Sequence, residues 1–467
     1  MNEATAINEN RLPWRVKIAY GAGSFAKTML VYATMAFLLY FYTDVIGING
    51  GVAATIILVA KIWDIINDPM MGAIVDKTKS KEGKCRIYLK YFSVPAGIIV
   101  ALAFYMPELS ATGKIIWVAV TYTLQGMAST VLLIPLNTLM GRLTDDKQQR
   151  AHLNQIAGLY GTAAGFVVPA LTMPFVSIAG GGDMQRGFMF LGMLYGFVYA
   201  LCHLVVYFGT KGYEPTDIMV KDRNAEEIEQ PSTMEVLKAL AKNKVWLLCI
   251  GIYFFDMIGS SIESTAQVYY FQYNIGNTNL LATCATVNTV TGILVYLVLN
   301  QFIKRLGNSG TSALGCVLSA LGYGLRFILH DSSVYVMIAG WTLSSIGVGL
   351  VGATIVLNIF DSKIYGEWKT GVNNEAILMS GFSVSYKVGM AMGGPIAGYL
   401  LMLVPYVPKA AEQSQSVLNL FFVENTLLPC IGFALAFIFS MIIRKYELKI
   451  PEMKEEIEAR KNMKVNN

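Results

Sequence analysis

The chain has 467 residues, of which 54% are hydrophobic and only 14% are charged, and its formal net charge is +5. Soluble domains carry about one quarter charged residues, so much of this apolar surface must face something other than water. The basic residues lie in short loops between apolar runs, which argues against a nucleic-acid partner. The six cysteines show no spacing typical of a disulfide framework or a metal site.

The chain begins with a polar segment, and no cleavable signal peptide is predicted before the first apolar run. Apolar runs of about 20 or more residues then recur, and this length lets an α-helix cross a bilayer. We therefore predict an all-α membrane protein with twelve transmembrane helices. The predicted spans are 18–43, 50–75, 88–107, 114–141, 152–179, 187–210, 244–271, 279–303, 310–330, 333–359, 371–404 and 416–443.

The longest polar stretch, residues 211–243, separates two groups of six spans and is expected to be a cytoplasmic connector. We predict an N-terminal six-helix bundle at 1–210 that holds a cation site, and a C-terminal bundle at 244–443. The tail, 444–467, is expected to be either a solvated cytoplasmic helix or a disordered end. Two six-helix bundles that rock around a site at the bilayer midplane are typical of the major facilitator fold. The loops DKTKSKEGK and FIKRLGNSG occupy equivalent places in the two halves.

Lys and Arg residues occur in every second loop, and the intervening loops are nearly free of them. Because these residues resist translocation, the basic loops are expected to be cytoplasmic. Both termini then lie in the cytoplasm. We predict a multi-pass protein of the cell inner membrane, present in the lipid bilayer as a monomer.

The second predicted span carries a stripe of ionisable side chains at membrane depth. In VAKIWDIINDPMMG, residues 59–72, the side chains of Lys61, Asp64, Asn67 and Asp68 fall within about one third of the helix circumference. Two buried carboxylates one turn apart repel each other, so a positive charge must lie between them. Their oxygens suit a hard cation. The alternative is a structural salt bridge between Lys61 and Asp64, but one lysine cannot neutralise both acids.

Several segments of the chain together form a family signature. They are YGAGSFAK at 20–27, FYTDVIG at 41–47, KIWDIINDPMMG at 61–72 with KSKEGK at 79–84, and YGEWKTGVNNEAI at 365–377. With these motifs the chain resembles the glycoside-pentoside-hexuronide:cation symporter family, from about residue 15 to residue 446. The resemblance implies the major facilitator fold and a coupling ion, Na⁺ or H⁺, with no other cofactor.

The resemblance also implies positions for the ion. Four side chains with suitable oxygens match the family's cation site: Asp64, Asn67, Asp68 and Thr130. Lys387 matches a family lysine near those carboxylates and is expected to couple the ion to the solute, with Lys61 as a second coupling candidate. Two carboxylates with an amide and a hydroxyl favour Na⁺ over H⁺.

The positions that recognise sugar in galactoside-transporting members of the family are altered. Thr28 and Leu133 replace two aspartates, and Ser383 is a near equivalent of a family threonine. Two tryptophans and an arginine are replaced as well, by Asn137, Gly352 and Gly158. Lys27 and Asp256 are further solute candidates because they are ionisable residues within spans. The loss of two acids favours the hypothesis that an acidic sugar is tolerated.

We therefore predict a cation-coupled symporter that takes up a sugar or glycoside, such as a pentoside or hexuronide, by alternating access. An enzyme would need a nucleophile with its base or a metal set, and neither occurs with suitable spacing. A major facilitator exporter of another small organic solute and a non-transporting solute sensor stay open as alternatives.

Overall fold

The computed structural model describes residues 12–144, 146–214, 242–330, 333–370, 375–408, 410 and 412–465. Within these ranges the chain is helical and contains no β-strand. The predicted connector at 211–243 lies almost entirely outside the described residues.

Six helices form the N-terminal half. They are α1 (Trp14–Ala33), α2 (Gly50–Lys77), α3 (Arg86–Ala103), α4 (Ala111–Leu143), α5 (Lys147–Gly180) and α6 (Met184–Gly209). Two π-helical turns, Thr34–Leu38 and Phe41–Val45, extend α1. Side-chain caps fix where several helices begin, because they bond backbone N–H groups that the first turn leaves free. Asn49 caps α2, Ser110 caps α4 and Asp183 caps α6.

The C-terminal half contains the remaining helices. They are α7 (Lys244–Tyr269) with a π-helical turn at Tyr270–Asn274, α8 (Leu280–Leu329), α9 (Val334–Thr370), α10 (Glu375–Leu400) with a 3₁₀ turn at Leu401–Leu403, α11 (Gln415–Asn425), α12 (Leu427–Glu447) and α13 (Ile450–Val465). Two of these differ from a simple span. Helix α8 contains a kink at Gly307, where φ is 76°, and α11 and α12 are separated by non-helical backbone at Thr426.

Nine helices in the described part of the chain are long and apolar enough to cross a membrane. One of them, α8, has 50 residues and contains both the eighth and the ninth predicted spans. The first and eleventh predicted spans correspond to α1 with its π-helical turns and to α10. Each of the twelve predicted spans thus contains a helix in the part of the chain that the structure describes, and the chain is an all-α, multi-pass membrane protein.

Contacts divide the chain into two compact units. Of the described residues, the first unit holds 12–214 with 277–285 and 401–413, and the second holds the others. In the first unit α3 packs along α6, α1 along α5, and α2 along α4. In the second unit α7 packs along α10 and α12. Small residues permit this packing within a membrane. A side chain at Gly97 of α3 would collide with the backbone carbonyl of Gly196 on α6.

A carboxylate clamp ties the start of α3 to the end of α6. Glu214, which follows α6, accepts hydrogen bonds from the backbone N–H groups of Cys85 at 2.9 Å and Arg86 at 3.1 Å. It also accepts one from Nε of Arg142 at 3.0 Å. The clamp is tight, because a side chain at Gly83, where φ is 103°, would collide with the Glu214 carboxylate.

The second unit repeats this clamp. Glu447, the last residue of α12, accepts hydrogen bonds from the backbone N–H groups of Asn308 at 2.5 Å and Ser309 at 3.2 Å. A side chain at Gly307 would again meet the carboxylate. The loops that seemed equivalent in sequence therefore share one local pattern of hydrogen bonds.

The C-terminal tail is helical and packs against α9. The indole Nε1 of Trp368 donates to Glu456 at 2.7 Å, and Arg460 donates to the backbone carbonyl of Trp368 at 2.8 Å. Met453 and Ile457 are buried on the same side. The tail helix α13 is therefore anchored on one side to α9.

Candidate cation and solute site

Helix α2 has two different faces. Its exposed face is apolar, as suits contact with hydrocarbon, and consists of Val59, Ile62, Trp63, Ile66, Met70 and Ile74. The polar stripe of Lys61, Asp64, Asn67 and Asp68 is half-buried. Lys61, Asp64 and Asp68 contact α4, as described below. The carboxylates are thus held within the first unit, in the arrangement that the helical spacing predicts.

Asp68 and Thr130 meet across the interface between α2 and α4. The Thr130 hydroxyl donates to Oδ1 of Asp68 at 2.9 Å, and Thr130 is only 3% exposed. Two of the four predicted ion ligands are therefore in direct contact although they are 62 residues apart in the chain.

Asp64 pairs with Lys61 one turn earlier on the same helix. The Lys61 Nζ lies 3.3 Å from Oδ2 of Asp64, and the two side chains are 35% and 24% exposed. Gly126 of α4 lies against the other carboxylate oxygen, since a Cβ at this position would be 2.5 Å from Oδ1 of Asp64. The absence of a side chain at Gly126 therefore lets the α4 backbone approach the acid.

Asn67 has an unsatisfied polar atom at the site. Its Nδ2 is buried and has no hydrogen-bond partner among the described residues. The side-chain oxygen and nitrogen of an amide exchange places by a half-turn rotation, so Asn67 can present its oxygen at the same point. A bound cation would then supply the missing interaction.

The oxygen set fits a hard monovalent ion. No group of three or more His, Cys, Asp or Glu side chains able to hold a metal occurs in the part of the chain that the structure describes. The stripe instead combines two carboxylates with an amide and a hydroxyl. Oxygen ligands of this mixed type suit an alkali cation and not a soft transition metal.

The solute candidates of the first unit lie where α1 meets α4 and α5. Nζ of Lys27 donates to Oδ1 of Asn137 at 3.5 Å, and Asn137 is exposed. Thr28 faces Gly161 of α5. Gly158, one turn away from Gly161, borders open space, with no atom within 4 Å of its Cβ position. Leu133 is half-buried. A lysine in a membrane helix avoids hydrocarbon, and the contact with Asn137 gives the Lys27 ammonium group a polar partner.

Comparison with known proteins shows the family to which the chain belongs. The sequence model of the family described as "MFS/sugar transport protein" matches residues 19–447. The chain belongs to this family. Because the MFS/sugar transport proteins are transporters, the chain is a transport protein and not an enzyme.

Relatives match this MFS/sugar transport protein along almost its full length. The isoprimeverose transporter of Lactiplantibacillus pentosus is 29% identical, over 98% of this chain and 94% of its own. The glucuronide carrier protein homolog of Escherichia coli (strain K12) is 26% identical, over 97% of both chains. A solved bacterial homolog of the human lysosomal transporter Spinster has a TM-score of 0.65 at 11% identity, over 94% of this chain and 97% of its own. At this low identity, the similarity to this structure shows a shared fold and nothing about function.

The second unit of this MFS/sugar transport protein holds the other solute candidates. Asp256 is 1% exposed and accepts a 3.5 Å hydrogen bond from Ser260, so its carboxylate lies within the unit. Position 352, occupied by Gly352, borders open space. The side chains of Ser383 and Lys387, both on α10, lie outside the described part of the chain.

Another buried charge in the second unit has a structural role. Arg326 is fully buried, lies 3.9 Å from Glu263, and its guanidinium carbon is 4.4 Å from the centroid of the Trp341 ring. It also donates to the backbone carbonyl of Asn425 at 3.2 Å, next to the break between α11 and α12. Arg326 therefore fixes the end of α11, where carbonyl groups lack helical partners.

The sequence analysis missed two residues of α4 at the cation stripe. Gly126 contacts Asp64, and the ring centroid of Tyr122 lies 5.9 Å from Nζ of Lys61. With Thr130 they are spaced four residues apart and therefore share one helix face. The spacing of Tyr122, Gly126 and Thr130 is visible in the sequence. It indicates that the first two residues lie at the cation stripe only after Thr130 has been assigned to the site.

Proposed function

We propose that this protein is a symporter that couples the uptake of a sugar or glycoside to Na⁺ or H⁺ entry by alternating access. It would act as a monomer in the inner membrane with both termini in the cytoplasm. The observation that carries the proposal is the contact of Asp68 with Thr130 beside Asp64, on the inner face of a membrane-spanning helix.

Electrostatic repulsion explains why this stripe needs an ion. Two carboxylates about 6 Å apart repel each other by about 3 kcal/mol at an effective dielectric constant of about 20. Lys61 offsets one of the two charges through its contact with Asp64. A monovalent cation would offset the other. Asn67 and Thr130 add neutral oxygens, which supports Na⁺ as the ion.

The solute site is proposed to lie on the open face near Lys27 and Asn137. Two of the relatives, an isoprimeverose transporter and a glucuronide carrier homolog, support a sugar or glycoside as the solute. The Lys27 ammonium can donate hydrogen bonds to sugar hydroxyls or to the carboxylate of a hexuronide. Thr28 and Leu133 bring no negative charge that would repel an acidic sugar.

Coupling follows if the ion and the solute favour the same state of the transporter. We propose that Asp64 and Asp68 on α2 bind the ion and that the Lys387 ammonium group on α10 responds to the resulting change in charge. By linkage, the solute must raise ion affinity by the factor by which the ion raises solute affinity.

Uptake into proteoliposomes tests this function. Isoprimeverose, a methyl glucuronide and a methyl galactoside would each be supplied with a Na⁺ gradient, with a proton gradient, and with neither. Concentrative uptake of one sugar driven by one ion is expected. Asp68→Asn should abolish it, whereas Lys90→Gln, which removes an ion pair with Glu82 far along the chain from the stripe, should not. Export without a driving gradient would indicate an exporter instead of a symporter. Binding without transport would indicate a solute sensor.

A further inference from the structure

The ammonium group of Lys61 lies on one of the proposed ion ligands. Its Nζ contacts Oδ2 of Asp64 at 3.3 Å, and both residues are on α2. A cation that coordinates Asp64 must either displace this ammonium group or bind next to it. Both outcomes weaken cation binding, because like charges a few ångströms apart repel each other in a poorly solvated site.

Tyr122 keeps the Lys61 side chain in this position. Tyr122 is buried on α4, and its ring centroid is 5.9 Å from Nζ of Lys61. Since Tyr122 and Thr130 share one face of α4, the same face that contacts Asp68 also limits where the ammonium group can move.

We propose that Lys61 is a tethered competitor of the transported Na⁺, and that Tyr122 is a positioning residue that holds the Lys61 ammonium group on Asp64. This inference rests on the proposed function. The competitor lowers the affinity of the site for Na⁺, which keeps the ion exchangeable at each turn of the transport cycle.

Na⁺-dependent thermal stabilisation of the purified full chain tests the inference. Na⁺ would be titrated against choline at constant ionic strength and pH. Removing the competing charge with Lys61→Gln should lower the half-saturating Na⁺ concentration by about tenfold. Tyr122→Phe should shift it in the same direction by a smaller factor. Lys61→Arg, which keeps the charge, should stay within about twofold of the wild type. Lys90→Gln removes another lysine ion pair and should have no effect on the Na⁺ response.

The outcomes separate the inference from the proposed function. If Lys61 only stabilises the fold, Lys61→Gln will lower the melting temperature without moving the half-saturating Na⁺ concentration, and the inference is wrong. A higher half-saturating concentration overturns it as well. If the wild type itself shows no Na⁺ response, the assignment of Na⁺ in the proposed function fails, and the inference fails with it. A wild-type response that Asp68→Asn removes, combined with the expected shift in Lys61→Gln, supports both.

Discussion

Replacing Gly126 by alanine separates ion binding from stability, because the two are expected to change in opposite directions. An alanine Cβ would lie 2.5 Å from Oδ1 of Asp64, whereas ordinary contacts are 3.4 Å or longer. The carboxylate must therefore move by about 1 Å, which is enough to break a close ion contact of the kind that holds a cation at 2.3 to 2.6 Å. In the helix interior, alanine is favoured over glycine by about 1 kcal/mol.

The size of the effect on the ion follows from the lost contact. A hydrogen bond or ion contact to a charged group contributes about 1.5 to 3 kcal/mol, so the half-saturating Na⁺ concentration is expected to rise by about ten- to a hundredfold. Na⁺-dependent thermal stabilisation measures this concentration, and the melting temperature without Na⁺ reports stability. The melting temperature should stay constant or rise slightly.

Gly141→Ala is the matched control. Gly141 lies on the same helix, and a Cβ there has no atom within 4 Å. The control should therefore gain the same helix stabilisation with an unchanged Na⁺ response. A shift of less than twofold in Gly126→Ala, or an equal shift in both variants, would refute the placement of Asp64 in the ion site.

Three other changes probe the described contacts. Thr130→Val removes the hydroxyl that bonds Asp68 and should raise the half-saturating Na⁺ concentration by about fivefold, since a hydrogen bond contributes about 1 kcal/mol; an unchanged titration would exclude Thr130 as a ligand. Glu214→Gln weakens three hydrogen bonds of a buried carboxylate and should cost about 1 to 3 kcal/mol, seen as a lower melting temperature with an intact Na⁺ response. The hydrogen bond from Lys90, followed by that from Tyr207, lowers the pKa of Glu82 below its ordinary value of 4.5, so its stabilisation is present above that pH and is lost as the pH falls through the lowered pKa. Glu82→Gln should therefore flatten the fall of the melting temperature below about pH 4.5, and an identical pH profile in wild type and variant would contradict this.

Spacing and hydropathy predict the arrangement of spans and the polar stripe, because both depend on one helix at a time. The shared helix face of Asp64 and Asp68 follows from the 100° turn per residue of an α-helix. The contacts made by Tyr122 and Gly126 depend on how α4 is placed against α2, and that register is set by packing between helices. It is therefore not encoded in either helix alone.

The ends of helices are the other place where sequence and structure differ. The polar segment around Gly307 predicts a loop, yet two helices join there with only one non-helical residue, because glycine adopts a positive φ at little cost. The break at Thr426 follows the polar residues Glu424 and Asn425 within the predicted span 416–443, and unlike the kink at Gly307 it does not depend on a glycine. It is stabilised instead by Arg326, whose partner carbonyl lies 99 residues further along the chain.

The two carboxylate clamps indicate where the polypeptide could be divided for expression as two fragments. Glu214 follows α6 and is held by the start of α3, while Glu447 holds the corresponding turn of α8. A cut directly before Glu214 would leave α3 without its anchor. A cut within the connector, beyond Glu214, would leave each fragment with its own complete clamp.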